Sequence, residues 1–524
     1  MVSGWWGEGA PSTIKSVYPK NVARLWLEGR KLERAGVKIG ARYQLVQNKA
    51  MERLELREAP AAADDQTFTV SKRERRGVVV PLIEVRSRIL SEVFANIERV
   101  RVAIRRGRIV ITALHIETKI RERVKRLTEK LRTGEPLAVA SLFHGGGVAD
   151  KALHSGLRRA GIKSFIQVGV EIEPEYLDSS LDNNPELWNE KSVAICSDVR
   201  EVNWGHNPPQ CDVICAGIPC LGASKSGRSK NKLSMAEEHS KAGDLFVDFL
   251  DAVKALNPSI CLIENVPEYQ SSASMVVVRS KLVSQGYVLK EAVLNGNDFG
   301  ALERRSRLVV VAVSKGLPDV FDFGELCKLK EKEGSINEVL EDVPLDSERF
   351  KSFDYLANKE VRDKADGKGF SRQLLSGAEE FCGTIGRGYA KCRSTEPFLV
   401  HPTNPQLSRL LTPVEHARVK GIPEVVISGL PDTTAHEVLG QSVIYPLIES
   451  VGLEIGVSIT AAVNASVVSL RQEGISSYCG QICGGDDCGA GQLCSFGINS
   501  ESQMPGLPES EPNQGQFQLS LMVA

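Results

Sequence analysis

The run Asp212-Val213-Ile214-Cys215-Ala216-Gly217-Ile218-Pro219-Cys220 is apolar for the length of a strand, breaks at Gly217 and Pro219, and delivers a cysteine. Further on, Ile260-Cys261-Leu262-Ile263 ends in the same way and delivers Glu264-Asn265-Val266. Strands that are apolar on both faces and stop at polar residues belong to a parallel sheet whose carboxyl ends carry a site. The pattern restricts this part of the chain to an α/β fold, with Cys220 as candidate nucleophile and Glu264 as its acid partner.

A chain of 524 residues exceeds what one core supports, so more than one domain is expected. With 42% hydrophobic and 25% charged residues the composition is that of a globular protein, which excludes wholesale disorder. The net charge of -1 conceals an asymmetry, because residues 1–135 hold 29 Lys+Arg against 16 Asp+Glu and the remainder is acidic. A basic front on an acidic body suits a polyanionic partner, or simply a solvated surface. The start has no basic segment leading into an apolar one, and no long uninterrupted apolar window occurs, so neither a secretory signal nor a membrane span is expected. Cysteines inside apolar runs, such as Cys196, Cys215 and Cys261, indicate a reducing, cytoplasmic setting rather than a disulfide scaffold.

Residues 1–115 read as a β-rich basic accessory domain. Val22–Leu27, Ala41–Val46 and Arg53–Leu56 are strand-like around a short helix at 31–36, and Val78–Leu82, Val100–Ile104 and Arg108–Ile111 repeat the theme, with a hairpin turned at Arg105-Arg106-Gly107. Two such units resemble the swapped-hairpin barrel of small bacterial DNA-binding transcription factors, and a generic β-rich domain fits equally. Residues 116–135 form a connecting helix, with Ile116, Ile120, Val124, Leu127 and Leu131 on one stripe and Arg121, Lys125, Arg126 and Lys130 on a basic outer face. Gly134 and Pro136 end it.

Leu137–Phe143 is the next strand, followed by His144-Gly145-Gly146-Gly147 and a helix, an arrangement that lets backbone amides approach a ligand. Phe165–Val170 ends at Glu171, where a carboxylate can accept from ribose hydroxyls, and Val193–Cys196 ends near Asp198, where one can accept from an adenine amine. Three strands in series with these endings favour a cofactor that contains adenosine.

Pro219-Cys220 and Glu264-Asn265-Val266, in this order after the glycine turn, resemble the DNA cytosine-5 methyltransferases of bacterial or phage type. Later segments match as well: Asn295–Gly300 with Arg305-Ser306-Arg307, Arg409–Arg418 with Gly421-Ile422-Pro423, and Gly440-Gln441-Ser442-Val443. The likeness spans residues 137–456 in unbroken order. It implies a class I S-adenosylmethionine-dependent fold, Rossmann-like with a mostly parallel mixed sheet, over 136–315 and 406–466, and a small target-recognition region over 316–405. It implies S-adenosyl-L-methionine as cofactor, held by Phe143, Gly145, Gly147, Glu171, Asp198, Pro219 and Ser442. It further implies Cys220, Glu264, Arg307 and Arg305 at a flipped cytosine, double-stranded DNA as partner, a monomer on DNA, and a cognate restriction endonuclease as a partner that the family allows.

Several positions depart from the family pattern: Val148 replaces a third glycine, Leu221 and Ala223 follow the nucleophile, Leu302 and Glu303 stand where Pro and Gln are usual, and Gln441 replaces an Asn. None removes a group that does chemistry. The segment Ser224–Ala242 is similar to the loop that closes over DNA, and Gly383–Thr395 is the expected DNA-facing part of the recognition region. Residues 467–524 read as a disordered tail; Cys479, Cys483, Cys488 and Cys494 have no assignable metal spacing, and no metal is expected. Two alternatives stay open on sequence, a DNA-binding regulator with a degenerate methyltransferase body and an RNA cytosine-5 methyltransferase.

Overall fold

The computed structural model describes residues 12–17, 22–48, 53–59, 67–75, 77–94, 97, 99–219, 237 and 243–482. Nine strands come first: β1 (Ser12–Val17), β2 (Val22–Glu28), β3 (Arg42–Asn48), β4 (Arg53–Glu58), β5 (Thr67–Thr69), β6 (Ser71–Arg75), β7 (Val78–Ser87), β8 (Arg99–Arg105) and β9 (Arg108–Ala113), with short helices α1 (Arg30–Arg34) and α2 (Arg88–Val93). They pair antiparallel in the order β5-β3-β4-β9-β8-β1-β2-β7-β6. The two units interleave, since β1 and β2 lie between β8 and β7, and β4 lies against β9. One core of Leu25, Leu54, Ile83, Val100 and Ile109 serves both. Sequence reasoning finds β2–β4 and β7–β9 and misses β1, β5, β6 and α2. Strand β6, Ser71-Lys72-Arg73-Glu74-Arg75, has no apolar residue to reveal it, as suits a charged edge.

Helix α3 (His115–Thr133) ends at Gly134, whose left-handed backbone (φ 72°) accommodates the stop. Its expected basic outer face is corrected by the packing at two of its four members, Lys125 remaining exposed. Arg126 and Lys130 turn inward to the fully buried Asp212, at 2.9 and 2.6 Å. Arg123, also buried, lies over the Tyr287 ring and donates to Ser314 Oγ and to the Gln285 and Gly286 carbonyls. A buried carboxylate needs such partners, so the helix is part of the body rather than a free connector.

The body is a seven-stranded sheet of β10 (Leu137–Leu142), β11 (Ser164–Glu171), β12 (Val193–Cys196), β13 (Val213–Gly217), β14 (Ile260–Asn265), β15 (Tyr287–Asn295) and β16 (Ser306–Ser314), in the order β12-β11-β10-β13-β14-β16-β15. Pairings from β12 through β14 are parallel, and β16 runs antiparallel to both neighbours. Alternate residues feed two cores. Leu137, Val139, Val213, Ile260 and Val309 face α4 (Val148–Arg159), α9 (Pro413–Val419), α10 (Asp432–Gln441) and α11 (Tyr445–Ile482), whereas Ala140, Ile214, Cys261 and Val310 face α6 (Leu245–Leu256) and α7 (Ala273–Ser284). Helix α5 (Pro174–Asn183) follows β11. The reversed strand β16 has a consequence for the site, because it brings its amino end, with Arg307, to the rim where the parallel strands finish.

A stretch of α11, Tyr445–Val463, is long and apolar enough to cross a membrane, but most of it is buried in the body. Gly156 and Gly452 let α4 and α11 touch backbone to backbone, since a Cβ on Gly156 would lie 2.2 Å from the Glu449 carbonyl oxygen. This helix is a core element.

The packing also moves the expected division at residue 316. Phe321, Phe323 and Leu326 join the body's core, and Lys330 packs on Gly300. The stretch 316–405, where a recognition region is expected, contains α8 (Asp354–Ala365) and two strands of a small sheet, β17 (Gln373–Leu375) and β18 (Pro397–Val400), whose third strand β19 (Ser408–Arg409) lies beyond 405.

Candidate active site

Glu264 stands at the end of β14, in register with Gly217 on β13 and Val309 on β16. Arg307 Nε donates to Glu264 Oε1 at 2.8 Å, and both side chains are largely shielded from solvent. The structure thus brings these two expected residues together at the rim. Next along, the buried Asn265 donates through Nδ2 to the Ile218 carbonyl at 3.1 Å and accepts from the Val266 amide at 2.8 Å. It fixes the backbone that leads to Pro219. Cys220 itself, with residues 221–236 and 238–242, lies outside the described residues. Glu237 is described, and it accepts from the Ser274 amide at the start of α7 at 2.6 Å. Cys215, the other cysteine of this segment, is buried and its thiol is pushed well up by burial, so no thiolate is available there.

The expected cofactor residues gather at the neighbouring strand ends. Phe143 adopts a left-handed backbone (φ 58°), Gly145 and Gly147 follow at φ 59° and 75°, and α4 begins at once with the buried Val148. At Gly147 a Cβ would meet Ser180 Oγ at 2.4 Å, so the turn requires glycine there. Beneath the turn, His144 is held from both sides, by Ser141 Oγ at 2.9 Å and Ser180 Oγ at 2.7 Å. Glu171 accepts from the Gly145 amide at 2.6 Å and from the Glu173 amide at 3.0 Å, which places its carboxylate beside the glycine turn. Asp198 caps the turn that follows β12 and pairs with Arg200 at 2.7 Å, and that guanidinium holds its carboxyl below the usual range. Ser442 Oγ donates to the Leu439 carbonyl.

One residue beside these escaped sequence reasoning. Ile172, 57% exposed directly after Glu171, is an apolar side chain held in solvent beside the expected cofactor residues; an apolar residue just past a strand-end acid is the signal that could have found it. Gln441 reaches toward Gly145, its amide nitrogen 3.9 Å from where a Cβ would sit, so the last expected cofactor segment closes on the first.

Arg305 is a correction. Expected beside Arg307 at the base, it is buried and spends its donors on Glu303 Oε1, the Ile385 carbonyl and the Gly440 carbonyl, each at 3.2–3.3 Å. The reason is the atypical Glu303. Its fully buried carboxylate also accepts from the Ile385 amide at 3.1 Å and faces Lys420 Nζ at 3.4 Å. Lys420, equally buried, donates to the Leu439 carbonyl at 2.6 Å and the Ser442 carbonyl at 3.3 Å. One carboxylate and two cations therefore tie the arginine segment, the backbone at Ile385 and the loop 439–442 into a single cluster. Burial brings the Lys420 ammonium down to about 7.

The segment Gly383–Thr395, expected to face DNA, is exposed only in part. Tyr389 is fully buried, Gly386 packs so closely on Gly440 that a Cβ there would sit 2.3 Å from its carbonyl oxygen, and Arg387 reaches Glu173 at 3.4 Å on the cofactor side. Thr384, Lys391, Arg393 and Thr395 remain exposed. Residues 467–482, expected to begin a disordered tail, instead continue α11; the side chain of Cys479 there, and Cys483, Cys488 and Cys494 altogether, lie outside the described residues.

An α/β sheet in this order, with a glycine turn after its first strand and acids after the next two, is that of a class I S-adenosylmethionine-dependent methyltransferase. Comparison with known proteins gives the family. The profile of the C-5 cytosine-specific DNA methylases matches residues 137–457. The chain is 28% identical over 249 residues to the Type II methyltransferase M1.ScrFI of Lactococcus lactis subsp. cremoris, covering 46% of this chain and 61% of that one. To M.NlaX of Neisseria lactamica it is 27% identical over 287 residues, 53% of this chain and 86% of that one. The chain thus spans less than two thirds of the first relative's length. A solved structure, the Entamoeba histolytica methyltransferase EhMeth, is 20% identical over 60% of this chain and 96% of that one, with a TM-score of 0.46. The chain belongs to the C-5 cytosine-specific DNA methylase family.

Proposed function

We propose that the protein transfers a methyl group from S-adenosyl-L-methionine to C5 of a cytosine flipped out of duplex DNA, acting in the cytoplasm through a covalent bond between Cys220 and C6. The observation that carries this reading is the Glu264–Arg307 pair at the rim, beside the Asn265 tether of the segment leading to Cys220.

The glycine turn, the carboxylate of Glu171 and the exposed Ile172 fit an adenosine-containing cofactor, with Gln441 and Ser442 closing the opposite side. When bound, S-adenosyl-L-methionine supplies an electrophilic methyl. Cytosine C5 is a weak nucleophile until a thiolate adds to C6 and pushes electrons into the ring. Cys220 makes that bond, Glu264 carries the proton that holds N3, and the Arg307 guanidinium offsets charge at O2. With a base present the ion pair between Glu264 and Arg307 is exchanged for contacts to the ring. Once C5 is methylated it loses its proton, the bond to Cys220 breaks, and aromaticity returns. The target base must leave the stack for any of this to occur.

The test uses duplex DNA carrying 5-fluorocytosine, in which the C5 substituent cannot leave as a cation. With cofactor present, a covalent complex is expected whose DNA-linked peptide contains Cys220. A complex linked through another residue, or one formed equally by Cys220→Ser, would refute the assignment.

A further inference from the structure

We infer that the outer face of β4, β9 and β8 is a second binding surface for duplex DNA, separate from the catalytic cleft and contributed by residues outside the methylase region. The inference rests on the DNA-methylating function proposed above for its choice of polyanion.

Alternation along these strands sends Leu54, Leu56, Ile109, Ile111, Val100 and Val102 into the core, leaving Arg53, Glu55 and Arg57 on β4, Arg108 on β9, and Arg101 and Arg105 on β8 facing out. Register sets Arg57, Arg108 and Arg105 directly opposite one another on three consecutive strands, and Arg53 and Arg101 flank Thr112 in a second row. Like charges directly opposite in a sheet are destabilising. The face offers little to offset them. Glu55, nearly buried beneath the guanidinium groups, pairs with Arg53, Arg57 and Arg108 at 2.5–2.9 Å, and its carboxyl is held down at about 2, chiefly by Arg108. Glu58 lies at the end of the patch beside Gly107, and on the adjoining β3 the opposed residues are Gln44, Val46 and Asn48. Arg106, in the β8–β9 turn, is exposed as well.

A face with five arginines and one acid, with Arg106 and Glu58 at its end, is built for an external anion. Strands sit about 4.8 Å apart and outward residues about 6.8 Å apart along each strand, so the two rows cover more than a single phosphate can occupy. Guanidinium groups bind phosphate oxygens in a bidentate fashion, and an array of them suits a phosphodiester backbone without reading sequence.

The experiment uses the full chain, with a mixed-sequence DNA duplex titrated at several salt concentrations. Arg101 and Arg105 are exposed and lie outside the Glu55 pairs, so R101A/R105A should melt with the parent. It should bind duplex about tenfold more weakly at low salt, with the slope of log K against log salt reduced by about 2. Methyl transfer at saturating DNA should be unchanged. Unaltered affinity and slope would overturn the proposal, as would loss of affinity for structured RNA with duplex binding intact. On the unmutated protein, bound duplex should protect Arg101 and Arg105 from an arginine-selective reagent, and absence of protection would also overturn it. A protein that binds duplex through this face yet transfers no methyl would refute the catalytic reading alone.

Discussion

At the scale of single residues, the site divides into groups that touch the base and groups that hold those groups in place. Glu264 belongs to the first set. Replacement by Gln keeps its size and removes its proton, so turnover should fall about 10²- to 10⁴-fold with little change in cofactor affinity, a result checked by separate measurement of kcat and cofactor binding. Asn265 belongs to the second set. Truncation to Ala strips the buried Ile218 carbonyl of its donor, which should cost about 1–3 kcal/mol in denaturant unfolding and lower kcat as the lead to Cys220 loosens. Both strand-end residues were legible in the sequence, because an apolar run that stops at a polar residue marks the sheet's rim. The burial of Arg305 was not. Arg305 and Arg307 are two residues apart and carry the same local signal, and it is the neighbouring Glu303 together with the Ile385 and Gly440 carbonyls, both distant in sequence, that decides that one turns inward.

At the scale of elements, the Glu303 and Lys420 pair explains an atypical position. Glu303 alone looks like a defect in the arginine segment; with Lys420 opposite it is half of a charge pair inside a three-way junction. Glu303→Gln leaves Arg305 and Lys420 buried without a counter-charge and should cost about 3–5 kcal/mol, whereas Lys420→Gln keeps the Glu303–Arg305 pair and should cost less, and in the double variant it offsets part of the Glu303→Gln loss. A thermodynamic cycle from unfolding curves checks this, and additive losses would contradict it. Helix α3 makes the same point. Its apolar stripe was visible at a period of 3.6 residues, but the partner that draws Arg126 and Lys130 inward, Asp212, sits where a strand begins far along the chain. Sequence periodicity identifies which side of a helix is apolar, and it does not reveal a buried carboxylate waiting for the polar side.

At the scale of the whole molecule, buried histidines set a pH dependence. Burial lowers His154 and His436 from 6.5 to about 4, so both stay neutral in the fold over a range where the unfolded chain protonates them. Their contribution is fully present above pH 6.5, is lost as pH falls toward 4, and levels off below that. Melting temperatures should follow this course, and a His154→Gln/His436→Gln variant should show a shallower fall between those limits. The parallel strands and the residues at their ends are legible in sequence; the order of those strands in the sheet, the interleaving of the amino-terminal units and the junction around Glu303 follow from contacts that no local pattern encodes. The central claim, methylation of DNA cytosine at C5 through Cys220, is tested most directly by bisulfite sequencing of DNA from cells that express the protein. Conversion-resistant cytosines within one short recurring sequence are expected, and cells expressing Cys220→Ser should lack them. Complete conversion in the presence of the folded parent, or the same resistant sites with Cys220→Ser, would contradict it.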